Sequence, residues 1–207
     1  MTTLLIPVGH DVGPFYGLSD PESPRSYDIR CGDGAFRLTS DQYIVWREAH
    51  GELNHPMEQE PETRESVEAA ALKGGAAKAG PAFDELLSLG ALLEINSSSP
   101  ALAQRFADTH RVVPLQRGLG NSGRSPQLFR IAAEQGPATI VSSAVYHLWT
   151  YSHLRPSLWD ACRHIATDGK DAGLTLAEAA EFETSPRELL TRLLAELPQL
   201  LAARCLY

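Results

Sequence analysis

Three groupings of residues in this 207-residue chain have the types and spacing that chemistry uses. Gly118-Leu-Gly120-Asn-Ser-Gly123 matches the G-x-G-x-x-G spacing with which a backbone turn cradles a pyrophosphate. Such a cradle also needs the amino end of a helix, and here Arg124-Ser-Pro126 and a strand-like Leu128-Phe-Arg-Ile131 follow instead, so a glycine-rich turn is expected. His50 with His55, and Cys162 with His164, offer metal-ligating atoms, yet neither pair has the further ligands at recognised spacing that a four-coordinate site requires. Glu62, Glu65 and Glu68 stand at helical spacing and read as a solvated acidic face. There is no G-x-S-x-G, and no cysteine lies in a recognised catalytic context. The expectation is a chain with no catalytic residues, no metal and no cofactor.

Composition narrows the classes further. The chain has 43% apolar and 21% charged residues, and no apolar run approaches the roughly 18 to 20 residues that a bilayer span needs. Met1-Thr-Thr-Leu-Leu-Ile-Pro7 lacks the basic and long apolar regions of a secretory signal, so a cytoplasmic location is expected. Cys31, Cys162 and Cys205 are odd in number and fit reduced, buried thiols. Asn96-Ser-Ser98 then matches a glycosylation acceptor only by accident. Residues 1–95 hold 7 Lys and Arg against 16 Asp and Glu, a charge of −9, whereas residues 96–207 hold 11 against 10. Nucleic-acid binders gain affinity by replacing phosphate counterions with Lys and Arg, so the first half disfavours DNA.

The chain also repeats itself. Leu38-Thr-Ser-Asp-Gln-Tyr-Ile-Val-Trp46 lies over Val141-Ser-Ser-Ala-Val-Tyr-His-Leu-Trp149, pairing Tyr43 with Tyr146 and Trp46 with Trp149, and His50 with His153 beyond them. One residue out of that register, Tyr27, Ile29 and Gly34 lie over Phe129, Ile131 and Gly136; Ile6-Pro-Val8 lies over Val113-Pro-Leu115. The paired histidines, each four residues after a tryptophan, suit helix ends where an imidazolium is favoured or packs on the indole. The pattern predicts two units, 1–95 and 101–207, joined by Asn96–Pro100, each a small antiparallel sheet followed by three helices in an α+β fold.

In the first unit, strands are expected at Leu4–Val8, Ser26–Cys31 and Ala35–Leu38, with turns at Gly9–Gly13 and Gly32–Gly34. Thr39 with Gln42 forms a capping box for a helix whose inner face is Tyr43, Trp46 and Ala49. A solvated loop over 52–62 precedes a helix from Arg64 to Leu72. Lys73–Gly80 reads as a flexible joint, and a third helix starts with Pro81 in its first position, stops at Gly90 and turns Phe83, Leu86 and Leu87 inward. Ala91–Ile95 closes the unit. In the second, a short helix spans Ala101–Thr109, an amphipathic stretch opens at Ser157-Leu-Trp-Asp160, and capping boxes stand at Thr175–Glu178 and Ser185–Glu188. Leu189, Leu190, Leu193, Leu194 and Leu197 line the last helix, which Pro198 is expected to stop or kink.

Strands first and three helices after is the order of a winged-helix unit. Tyr27-Asp-Ile-Arg30, Gly34-Ala-Phe-Arg-Leu-Thr39, the helix from Ser40 to His50 and Phe83-Asp-Glu-Leu-Leu-Ser-Leu-Gly-Ala-Leu-Leu93 together resemble the PqqD-like family of RiPP recognition elements. That resemblance implies a non-catalytic, peptide-binding protein of a ribosomal-peptide pathway, which holds a precursor's leader peptide and presents it to peptide-modifying enzymes. The implied mode is strand addition: the leader pairs with the edge of the third strand and lays side chains into a groove against the third helix. By that resemblance the groove falls on Phe36, Arg37 and Leu38 with Phe83 and Leu87 in the first unit. In the second, Thr139, Ile140 and Val141 face Arg187, Leu190 and Leu194. Core packing is the competing reading for each apolar residue among these, whereas Arg37 and Arg187 are expected to be exposed. A tandem winged-helix transcription regulator is the alternative, drawn from the helix-turn-helix pattern of Thr175–Leu197 with Arg187 and Arg192 on its second helix.

Overall fold

A computed structural model describes residues 3–18, 20–52, 60–168 and 185–207. The fold is mixed α+β, with small antiparallel sheets and seven α-helices among the described residues. Two compact units divide the chain, one of residues 3–52 and 61–94, the other centred on residues 95–207.

The first unit opens with β1 (Thr3–Pro7), whose Leu4, Leu5 and Ile6 are all buried. A three-stranded meander follows, β2 (His10–Gly17), β3 (Asp20–Cys31) and β4 (Gly34–Leu38), with β3 in the centre. Register sets Ile29 opposite Phe36 and Tyr27 opposite Leu38. The expected turn at Gly9–Gly13 is a strand from His10 onward. Bulges near Gly13 and Tyr16 break its pairing with β3, and most of its residues are exposed, so it lacks the alternation that marks a half-buried strand.

Helix α1 (Ser40–Glu48) has the expected cap: Thr39 Oγ1 accepts from the Gln42 amide, and Gln42 Oε1 accepts from the Thr39 amide. It buries Val45, Trp46 and Ala49, while Tyr43 stays half-buried, its ring stacked on Tyr27 at 4.1 Å. Helix α2 (Arg64–Lys73) has a second capping box, Thr63 with Ser66, that the sequence reading overlooked. The presumed flexible joint after α2 is tied instead. The Asp41 carboxylate accepts the amides of Ala77 and Lys78, both at 3.0 Å, and so fixes the entry to α3 (Ala79–Leu89). Pro81 is therefore the third residue of α3, not the first. Gly90 ends it at φ 72°, in the left-handed region that glycine tolerates. Then β5 (Leu92–Asn96) returns to pair with β1. Ile29, Leu38, Trp46, Phe83, Leu86 and Leu92 form the core between sheet and helices.

The second unit begins with α4 (Pro100–Thr109), then lays Val113 and Leu115 beside Tyr207 and Cys205 through backbone bonds of 2.9 to 3.1 Å. Its meander is β6 (Gly118–Ser122), β7 (Ser125–Ile131) and β8 (Thr139–Ser142), again with the middle strand central. Gly118–Ser122 is thus a strand where a glycine-rich turn was expected; the turn is confined to Gly123 and Arg124. Helices α5 (Ser143–Tyr151), α6 (Leu158–Asp168) and α7 (Pro186–Ala202) follow, with a short 3-10 turn after α5. The Ser185–Glu188 capping box forms, whereas Thr175–Glu178 and residues 53–59 lie outside the described residues.

Pro198 neither stops nor visibly ends α7, which runs on to Ala202. An interior proline costs about 3 kcal/mol, but burying a leucine side chain gains roughly 1.5 to 3 kcal/mol, and Leu197, Leu200 and Leu201 are all buried around it. The core outweighs the missing backbone bond.

The two units share internal detail. Trp46 Nε1 donates to Val8 O at 3.1 Å, and Trp149 Nε1 donates to Cys205 O at 2.8 Å. Phe129 stacks on Tyr146 at 4.6 Å as Tyr27 does on Tyr43. The last helices end alike: Ala91 N donates to Leu86 O and Cys205 N to Leu200 O, after Gly90 and Arg204 at positive φ.

Candidate functional site

Within the second unit a groove of about 260 Å³ opens between the last strand of the meander and α7. Leu128, Ile140, Val141 and Ser142 line one side, Ala195, Glu196 and Gln199 the other. Among the described residues β8 pairs only with β7, and no other strand of theirs lies on its far edge. At its end Ser142 donates its amide and its hydroxyl to the Glu196 carboxylate, at 3.1 and 2.8 Å. The Ser142 amide therefore points off the sheet. Backbone groups alternate along an antiparallel strand, so the N–H and C=O of Ile140 point the same way, into the space beside α7.

Burial pushes the Glu196 carboxyl above its ordinary range, against the opposing pull of its two bonds from Ser142 and of the Arg192 charge. One turn further along α7, the side chain of Gln199 is half-buried, and its enclosed amide oxygen has no hydrogen-bond partner among the described residues.

The first unit handles the same places differently. The correspondence of helix ends sets Glu85 over Gln199, and the aromatic register sets Gln42 over Val145. In the first unit Gln42 Nε2 donates to Glu85 Oε2 at 2.8 Å, so the acceptor on the last helix is satisfied from within. In the second, an apolar valine stands where the donor would be.

Of the residues expected to form grooves, the structure brings only some to a surface. In the first unit Leu38 and Phe83 are core residues, 1% and 0% exposed, and their side chains line no groove. Phe36 and Leu87 are half-buried against that core. Arg37 is exposed and pairs with Asp28 at 3.4 Å. In the second unit Ile140 and Val141 do border the groove, Val141 with its side chain turned into the core, while Thr139 is wholly buried. Leu190 and Leu194 pack inward, and Arg187 is exposed in the first turn of α7, away from the lining residues. The helix side of the groove is Ala195, Glu196 and Gln199, which sequence reasoning missed. The signal was present: these positions flank the inward leucine stripe on the side that faces β8.

The other constellations resolve into structure. The His50 ring is buried, its Nδ1 3.0 Å from Trp46 O and its edge on the Trp46 indole; its repeat counterpart His153 is exposed. His164 pairs with Arg155. Among the described residues no three or more His, Cys, Asp or Glu gather as a metal site would need. Cys162 and Cys205 are buried and Cys31 half-buried, all three as free thiols. Among the described residues no helix is long and apolar enough to cross a membrane.

Comparison of the chain with family models, with curated proteins and with solved structures finds no match.

Proposed function

We propose that this chain is a non-catalytic peptide-binding protein of the cytoplasm, similar to the PqqD-like recognition elements, that holds the leader of a ribosomally made precursor by strand addition and presents it to modifying enzymes. The observation that carries this reading is the β8 edge, which pairs with no further strand among the described residues and runs beside a groove against α7. An extended peptide there pairs with the outward N–H and C=O of Ile140 and sets alternate side chains against Leu128 and Ile140. Main-chain pairing gives affinity with little demand on sequence, and the groove supplies selectivity. The net charge of −8 favours a neutral or basic partner over phosphate.

Titration of the full chain with a labelled leader peptide from a precursor gene beside its own tests the proposal. Micromolar or tighter binding, with amide shifts confined to β8 and α7, is the expected result. Failure to bind, or retention on random duplex DNA at low salt in place of peptide binding, would overturn it and favour the regulator.

A further inference from the structure

We infer that the peptide held along β8 carries an acidic residue, a glutamate or aspartate whose carboxylate is taken by Arg130 at the border of the groove; this rests on the peptide-binding reading above. Arg130 stands directly opposite Ile140 in the register of β7 with β8, and Leu128 lies two residues before it on the same strand. Phe129 and Ile131 turn inward, the first onto the Tyr146 ring and the second fully buried, so alternation puts Leu128 and Arg130 together on the other face. Leu128 and Ile140 line the groove, and Arg130 continues that apolar wall with an exposed cationic side chain. Among the described residues it pairs with no carboxylate, and the sequence has none from Thr109 to Ala133.

The first unit shows how the same two places are balanced from within. The register of the repeat sets Asp28 over Arg130 and Arg37 over Ile140. Asp28 and Arg37 face each other on β3 and β4 with their charged groups 3.4 Å apart, and Ser26 Oγ donates to the same carboxylate at 3.3 Å. In the second unit the sign on the central strand is reversed and the counter-charge on the outer strand is replaced by Ile140, with Leu128 in the place of Ser26. The counter-charge then belongs to the next strand out, which is the peptide. That strand lies about 10 Å from β7, two steps of the usual strand spacing, and an arginine laid over Ile140 spans the gap with a glutamate reaching back. A guanidinium takes a carboxylate through two parallel N–H···O bonds, and the longer glutamate meets it more easily than aspartate. Glu196, the carboxylate of the groove lining, sits on the α7 side at the Ser142 end, where both Ser142 hydrogens hold it. One acidic residue among neutral or basic ones stays compatible with the overall charge of −8.

The test is a phage-displayed library of random dodecapeptides selected on the full wild-type chain and, in parallel, on Arg130→Glu and on Arg124→Gln, which changes another exposed arginine in the turn between β6 and β7. Circular dichroism and thermal unfolding first compare the three proteins; Arg130→Gln, which should erase the preference, takes the place of Arg130→Glu if that variant fails to fold. Wild type and Arg124→Gln should enrich glutamate, with aspartate second, at one fixed position next to apolar residues. Arg130→Glu should erase that preference or reverse it to lysine or arginine. A synthetic consensus peptide should lose about three- to tenfold in affinity when its acidic residue becomes the matching amide, and less at high salt. On the Arg130 variant that loss should vanish while binding persists. Peptides that bind with no acidic preference, or with one that the Arg130 variant leaves unchanged or Arg124→Gln abolishes, overturn this inference and leave the peptide-binding reading standing. Enrichment of nothing above an unrelated control protein removes both.

Discussion

Ser142 gives both of its hydrogens, amide and hydroxyl, to the one carboxylate of Glu196 across 54 residues of sequence. That single residue pair locks the end of β8 to α7 and defines where the open part of the edge begins. Because burial holds the Glu196 carboxyl above its ordinary range, the folded state binds this proton more tightly than the unfolded chain does. The sign follows: between the ordinary and the raised value, the contribution of Glu196 to stability falls as pH rises. Denaturant unfolding at a series of pH values should show this downward component in wild type and a flatter profile in Glu196→Gln. An unchanged profile would mean that the carboxylate is solvated.

Ile140→Pro removes one outward N–H; because the Ser142 amide points to Glu196, alternation along the strand leaves the β7–β8 bonds to Thr139 and Val141. The variant should fold, with a loss of about 1 kcal/mol or less, and should bind a leader peptide at least tenfold more weakly. Isothermal titration beside thermal unfolding separates the two effects. Binding at wild-type strength would place the peptide elsewhere.

Asp41→Ala takes away the acceptor of the Ala77 and Lys78 amides at the entry to α3. Charge-assisted bonds of this kind are worth about 1.5 to 3 kcal/mol each at most, and partial solvation reduces that, so a loss of roughly 1 to 2 kcal/mol is expected by chemical denaturation. Hydrogen exchange should quicken first at residues 76–80.

Helices and most strands were written plainly in the sequence; the exposed strands β2 and β6 and the groove were not. Thr39 with Gln42, Ser185 with Glu188, and the leucines of α7 are local signals: a cap and its partner stand three residues apart, and an inner face repeats at 3.6 residues. β2 and β6 carry glycines that ordinarily mark turns, and neither buries a face, so alternation was missing. The Asp41 anchor joins residues 36 apart, a relationship that spacing does not reveal. Ala195, Glu196 and Gln199 gave no local signal of lining a groove; only the three-dimensional neighbourhood places them against β8.

Gly118 illustrates close approach in place of turn geometry. A methyl group there would collide with the Tyr146 hydroxyl and ring, and so press on the Tyr146–Phe129 stack. Gly118→Ala should cost about 1 to 3 kcal/mol, the usual range for overpacking. Gly123→Ala, in the neighbouring turn with open space around it, should change the midpoint of thermal unfolding little. Equal effects would show that the Tyr146 ring gives way freely.

The buried thiols differ from the accessible one. Burial pushes Cys162 up to about 12 and Cys205 to about 11, so little thiolate forms at pH 8. An aromatic disulfide reagent should modify one cysteine in the native protein, Cys31, and all three after denaturation. Mass spectrometry of the native product identifies the site; early labelling of Cys162 or Cys205 would contradict the packing.

β1 and β5 pair although they stand at opposite ends of the first unit, with the meander and three helices between them. Val113 and Leu115 likewise wait for Cys205 and Tyr207. Each closure spans most of its unit, so during synthesis the earliest strand leaves the exit tunnel with no mate and stays unmatched until the closing segment emerges. The buried leucines of β1 are therefore a hazard that the growing chain carries for the time it takes to make nearly ninety further residues, and holding that strand apart is a task for whatever attends the nascent polypeptide.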